Sequence, residues 1–345
     1  MGYLIDSERM DALIKAMQRE YRFFAPRYED NQDAAWKKVR YGEIDSISDI
    51  VWESKSDDSP KEILFPIVQE LQYFYENMCR KETCAGKKIL LFARPCDIYG
   101  IQRLDTMFLM NGGTEDPYYK ENRSRVKLVL MECLTGWDTC FCVSMGTNQT
   151  DDYAIALRYC GNHYLLNVQD AELALFFSEE NYVDYLPEFI KHNSEDVKIP
   201  EIEQKDVKAA SQLSLWSHYA EKCLSCGKCT AVCVGCSCFS TITSFSDEYN
   251  QIGKRERVWA SCMHEDFSRM AGGIIMRKTA ADRLRFRILH KIYDYKMRFE
   301  SEHMCVGCGR CIEQCPANIS IIEIIHTLFD SLQKKVFPNE QYSES

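Results

Sequence analysis

Apolar side chains recur with a helical period from Ser7 to Tyr21, where Met10, Leu13, Ile14, Met17 and Tyr21 share one face and Ser7 stands as N-cap. Irregular alternation from Trp36 to Ile50, broken at Gly42, predicts a short hairpin. Phe65 to Met78 reads as a second helix, opening near Pro66. The run Lys87 to Ala93 has no polar interruption after its two lysines and predicts a buried strand. It is followed by the loop Arg94-Pro-Cys-Asp97 and a helical stretch to about Leu109. Val126 to Glu132 predicts another buried strand, and Tyr153–Tyr159 with Tyr164–Val168 a strand pair turning at Cys160-Gly-Asn-His163. Helices are expected at Ala171–Ser178, Val183–His192 and Val207–Glu221, then across most of Gln251–Arg298, and finally from about Ile319 to Lys334.

The segment Asn193 to Asp206, with Pro200 and many charges, reads as a linker. The expected fold is therefore α+β in two parts. A mixed α/β domain over residues 1–205 precedes a mostly helical, dicluster ferredoxin-like domain over 206–345 with a long helical insertion.

Hydrophobic residues make up 46% and aromatics 12% of the 345 positions, enough for a large core. No run reaches the roughly 20 apolar residues of a membrane-spanning helix, and the N-terminus has neither the basic start nor the apolar centre of a signal peptide. A cytoplasmic protein is expected. The formal charge of −10 disfavours nucleic acid as a partner and suits docking onto basic protein surfaces.

Eighteen cysteines change the picture most. In a reducing compartment such a number points to metal binding rather than to a disulfide framework. Cys223-x2-Cys226-x2-Cys229-x3-Cys233 and Cys305-x2-Cys308-x2-Cys311-x3-Cys315-Pro316 repeat the bacterial ferredoxin spacing. Three thiolates on a tight loop reach three irons of a cubane, and the fourth, one helical turn on, faces the other cluster. One [4Fe–4S] cluster is thus assigned to Cys223, Cys226, Cys229 and Cys315, and the other to Cys305, Cys308, Cys311 and Cys233.

Gly227, Gly307 and Gly309 fit loops whose backbone bends sharply and approaches inorganic sulfide. A structural zinc site would need paired C-x2-C elements but not the third and fourth cysteines at these offsets. Cys233 departs from the usual pattern in being followed by Val234 rather than proline.

Residues 234–304 separate the motifs and hold Cys236, Cys238 and Cys262, whose role the sequence leaves open. They also hold eight Lys or Arg against two Asp between Arg277 and Arg298. Such cations would favour a reduced cluster or dock an acidic partner, and a solvated helix face explains most of them as well. In the N-terminal part, Cys96, Cys133, Cys140 and Cys142 come from loops after predicted strands and form a candidate third [4Fe–4S] site, buried structural cysteines being the alternative.

Cys79, Cys84 and Cys160 have no such arrangement and read as structural. His264, His290 and His303 read as polar surface or supporting residues. No dinucleotide fingerprint, P-loop or catalytic nucleophile constellation is present, so the chemistry expected is one-electron relay with no catalytic residue in this chain.

Arg94-Pro-Cys-Asp-Ile-Tyr-Gly-Ile-Gln-Arg-Leu-Asp105, Thr139-Cys-Phe-Cys-Val-Ser-Met-Gly146, the motif Cys223–Phe239 and Trp259-Ala-Ser-Cys262 together resemble the iron–sulfur electron-transfer subunit of anaerobic sulfite reductase. They also resemble the related β subunits of cytosolic hydrogenases and sulfhydrogenases. The Tyr99-Gly-Ile segment and the chain length favour the first. That resemblance implies a complex in which a flavin- and NADH-binding subunit supplies electrons. A sirohaem-containing subunit would reduce sulfite to sulfide, with this chain bridging the two. The alternative is the relay subunit of a hydrogenase or sulfhydrogenase.

Overall fold

In the computed structural model, residues 2–29, 37–75, 78–81, 86–247, 249 and 252–336 are described. Twelve strands are defined among them: β1 Gly2–Asp6, β2 Tyr21–Tyr28, β3 Val39–Ile44, β4 Val68–Tyr75, β5 Met78–Lys81, β6 Lys88–Ala93, β7 Val126–Met131, β8 Ile155–Tyr159, β9 His163–Val168, β10 Tyr182–Val183, β11 Phe239–Asp247 and β12 Ile252–Trp259. With the intervening helices they make the expected α+β protein. One sheet runs β10-β1-β9-β8-β7-β6-β2-β3 and a smaller one β11-β12-β4-β5. The centre of the large sheet, β2-β6-β7-β8, is parallel, and its flanks are antiparallel.

The apolar runs of β6 and β7 lack alternation because both sheet faces are covered. Leu90, Phe92, Val129 and Met131 pack on the side of the helix Ser7–Met17. Leu91, Ala93, Leu128 and Leu130 pack on the side of the helix Pro95–Asp105. This second core also contains Val234, Val306 and Cys308 from the ferredoxin motifs. A third core lies under the C-terminal part, where Leu284, Ile288 and Ile292 meet Ile321, Ile325 and Leu328.

Several local expectations change. The first helix ends at Met17 and is capped by Asp6, whose carboxylate accepts from the Arg9 N–H at 2.8 Å, and Tyr21 opens β2. Phe65–Met78 is not a helix: Val68–Tyr75 is β4, paired with β12 on one side and β5 on the other, and its Tyr73-Phe74-Tyr75 run favours strand. Val183–His192 forms no helix, since Pro187 in its middle removes a donor and clashes with the preceding turn. Val207–Glu221 divides into helices Val207–Ser211 and Leu215–Ala220.

The insertion between the ferredoxin motifs begins as the hairpin β11–β12 and becomes helical at Ala280–Leu289. β12 pairs with β4, so residues on both sides of position 205 share a sheet. The Trp36 end of the expected hairpin and Cys84 lie outside the described residues. Among the described residues no helix is long and apolar enough to cross a membrane.

Candidate iron–sulfur centres

The two ferredoxin loops are built around left-handed glycines. Gly227 and Gly309, at φ 75° and 73°, immediately precede the short helices Lys228–Ala231 and Arg310–Glu313, and Gly307 has φ 64°. Each loop thereby turns back on itself and sets its thiols around a common hollow. Cys223, Cys226, Cys229 and Cys315, with Cys311 beside them, line one hollow of about 530 Å³, its open part included. Cys305, Cys308, Cys311 and Cys233 are mutual electrostatic neighbours, and burial pushes the Cys305 thiol up to about 12 and that of Cys308 up to about 11. Thiols raised this far stay protonated unless a metal centre or a nearby cation takes the proton's place.

Cations are built in. The helix Ala280–Leu289 and its continuation place Arg283, Arg287 and Lys291 four residues apart on one inward face, only 7%, 6% and 5% exposed. Arg283 donates to the Ser225 hydroxyl at 3.2 Å, inside the first loop, and to the Lys278 carbonyl at 2.8 Å. Burial opposes the charge of Arg287, but the neighbouring Cys229 and Cys311 sulfurs outweigh it and hold its pKa well up. Lys291 behaves likewise beside Cys233 and Cys236. The Arg287 Nε and Lys291 Nζ have no hydrogen-bond partner among the described residues. Buried cations so placed fit an anionic group held by the thiols, and the bland reading of a solvated basic face fails for these three.

The N-terminal cysteines converge as the strand order dictates. β6 and β7 are adjacent and parallel, so the segments after their carboxyl ends emerge at the same end of the sheet: Cys96 in the first turn of the helix Pro95–Asp105, not in the expected loop, and Cys133 just beyond β7. Cys96, Cys133, Cys140 and Cys142 line one hollow of about 360 Å³. Lys55 Nζ lies 3.7 Å from Cys140 Sγ, Asn193 Nδ2 donates to Cys142 Sγ at 3.6 Å, and Arg94 faces Cys133. Burial pushes Cys142 up to about 11 and Cys96 well above the ordinary thiol range.

This hollow abuts the second ferredoxin loop. Phe141 N–H donates to the Gly307 carbonyl at 2.8 Å, and a Cβ on Gly307 would stand 2.5 Å from the Phe141 backbone. Lys55 also donates to the Cys308 carbonyl at 2.9 Å.

Sequence reasoning missed the buried Asp97–Arg310 pair, the Lys55 contact and the inward cation row, although the i, i+4, i+8 spacing of the last was readable. The departure at Val234 has a packing cause. Val234 is fully buried against Gly100, where any Cβ would come within 2.1 Å of Val234 Cγ1. Cys160 is exposed and lines none of these hollows, and the side chain of Cys79 lies outside the described set. The His303 ring bonds the Ile292 carbonyl at 2.8 Å, beside the second motif. Among the described residues no group of three or more His, Cys, Asp or Glu is disposed to hold a single metal ion, and the thiols stand around hollows instead.

Paired ferredoxin loops, sulfur donors and buried cations define an iron–sulfur electron-transfer protein. The sequence profile described as a 4Fe-4S dicluster domain matches residues 222–319. A curated relative, the sulfhydrogenase 2 subunit beta of Pyrococcus furiosus, is 30% identical over 312 residues, covering 85% of this chain and 90% of the relative. The chain belongs to the family of that β subunit. No solved structure matches it.

Proposed function

We propose that this chain is the iron–sulfur relay subunit of a sulfhydrogenase-type complex, passing single electrons between partner subunits. Cys223, Cys226, Cys229 and Cys315 hold one [4Fe–4S] cluster, Cys305, Cys308, Cys311 and Cys233 a second, and Cys96, Cys133, Cys140 and Cys142 a third. The observation that carries the reading is the direct packing of the Cys140–Cys142 loop on the Cys305–Cys311 loop, which sets the N-terminal thiol hollow against the second ferredoxin motif. When bound, the clusters supply one-electron storage. The chain's own residues do the rest: the Arg287–Lys291 row favours the more negative, reduced state, and the loop glycines bring backbone close to sulfur. Cys226 is exposed and Leu224 near it is 68% exposed, so the first hollow is the one we assign to an electron-exchanging partner.

The relative's identity favours a hydrogenase-type partner over the sulfite-reducing one. The second reading, in which the partners carry flavin with an NADH site and sirohaem, rests on the Arg94–Asp105 block, including Tyr99-Gly-Ile. Anaerobic purification of the whole complex separates the two, because nickel supports the first and sirohaem the second. Iron and acid-labile sulfide per chain count the clusters: about eight of each for two, about twelve for three. A colourless chain binding only zinc would end both readings.

A further inference from the structure

Cys236, Cys238 and Cys262 belong to neither ferredoxin motif nor the N-terminal set, yet the fold gathers them. Cys236 and Cys238 follow the first motif, and Cys262 lies just beyond β12. β11 and β12 pair from Phe239↔Trp259 onward, so the hairpin's base brings the two segments together, and the Ala260 N–H donates to the Cys238 carbonyl at 3.0 Å. The three thiols face one hollow of about 760 Å³, its open part included, against about 530 Å³ on the same measure at the first ferredoxin motif. Cys236 and Cys262 are each only 5% exposed, and the thiol of Cys238 interacts with both.

The surroundings are cationic. Arg287 and Lys291 line the same hollow, and the Lys291 Nζ, on a side chain 95% buried by its 5% exposure, has no hydrogen-bond partner among the described residues. Lys61, 2% exposed, holds its ammonium 4.0 Å from the Trp259 ring centroid, donates to the Thr230 carbonyl at 2.9 Å and is stabilised as a cation most by Cys236. Among the described residues none of these three cations pairs with a carboxylate, so thiolate-bound negative charge is what would neutralise them.

We propose that Cys236, Cys238 and Cys262 hold a further iron–sulfur cluster of the four-iron kind, beside the second ferredoxin cluster. Three sulfur donors around a roomy hollow, with buried cations on its wall, are the arrangement that the ferredoxin motifs themselves show. Three thiolates leave one iron of a cubane for a non-cysteine ligand, and His290 lines the same hollow. Lys61 and Lys291 each face both Cys233 and Cys236, so the two centres share their counter-cations and an electron on one is felt by the other. The site makes a branch or an extension of the relay and rests on the iron–sulfur reading of the chain.

The test is iron, acid-labile sulfide and zinc per full-length chain, purified anaerobically, for wild type and for Cys236→Ser, Cys238→Ser, Cys262→Ser and the exposed-cysteine control Cys160→Ser. The expected result is a loss of about four irons and four sulfides per chain in the first three and none in the control. The electron paramagnetic resonance signals of the remaining clusters should persist after dithionite reduction. Unchanged iron in Cys262→Ser, or loss of one zinc instead of iron, overturns the proposal.

Should Cys236→Ser or Cys238→Ser unfold the neighbouring motif, Cys262→Ser alone decides, since it lies outside both ferredoxin loops. Wild-type iron gives an independent check: about sixteen per chain supports four clusters, and eight or fewer at full occupancy overturns this one. Failure of the relay reading itself would look different, as wild-type chain without iron.

Discussion

Arg310 and Asp97 form a buried, two-pronged ion pair that joins the N-terminal cysteine loop to the second ferredoxin loop. Arg310 Nη1 lies 2.5 Å from Asp97 Oδ1 and Nη2 3.1 Å from Oδ2, with the side chains 1% and 0% exposed. Asp97 follows Cys96, and Arg310 precedes Cys311. Tyr41 hydroxyl donates to the same carboxylate at 3.0 Å, and Arg310 Nε donates to the Ser56 carbonyl at 3.0 Å, so the network is well satisfied. Removing one partner leaves a buried charge alone. Asp97→Ala or Arg310→Ala should each cost about 3–5 kcal/mol, and the double variant clearly less than their sum. Denaturant midpoints under anaerobic conditions measure this, and single-variant losses below about 1 kcal/mol would show that the pair does not join the loops.

Gly100 and Val234 make a second, steric joint. Gly100→Ala places a methyl group where Val234 Cγ1 already stands, at 2.1 Å. The expected cost is about 1–3 kcal/mol of overpacking, partly recovered in Gly100→Ala with Val234→Ala. Thermal unfolding of the four proteins of this cycle checks the coupling. Independent, additive effects would contradict the packing.

The buried cation row should set reduction potentials. Taking one charge from a site about 7 Å from a cluster, at an effective dielectric near 20, removes on the order of 2 kcal/mol of attraction for the added electron. Lys291→Met should therefore lower the potential of the second ferredoxin cluster by roughly 50–100 mV, with a smaller shift for the first cluster. Arg298→Met, on the same helical run, provides a comparison. Potentiometric titration followed by paramagnetic resonance reads both. An unchanged potential in Lys291→Met would remove the row's electrostatic role.

Cluster loading should release protons. Burial holds the thiols of Cys142 and Cys229 at about 11 and Cys305 at about 12, so the metal-free folded chain carries them protonated at pH 8. A raised thiol pKa means the ligand form is scarce below it and grows with pH. Anaerobic reconstitution with iron and sulfide should accelerate up to about tenfold per pH unit between pH 7 and 9, as the thiolate fraction rises. A pH-independent rate would mean that thiol ionisation does not limit uptake.

By itself the sequence determined the parts whose chemistry is local. The ferredoxin spacing, the three loop glycines and the apolar runs of β6 and β7 are legible because a cubane loop and a doubly covered strand each impose a short-range pattern. The convergence of Cys96, Cys133, Cys140 and Cys142 was half legible, since strand ends could be read but their order in the sheet could not.

Only the tertiary structure decided the rest. Val68–Tyr75 became a strand because β12, far along the chain, offered it a hydrogen-bonding partner. Arg287 and Lys291 turned inward because thiols on other loops supply the charge they need. Asp97 met Arg310 across 213 positions, and Cys262 met Cys236 and Cys238 through a hairpin base. Pairing, burial and charge balance between distant residues are properties of the folded arrangement, and short-range sequence pattern records a spacing such as Arg283, Arg287, Lys291 without saying which face meets the thiols.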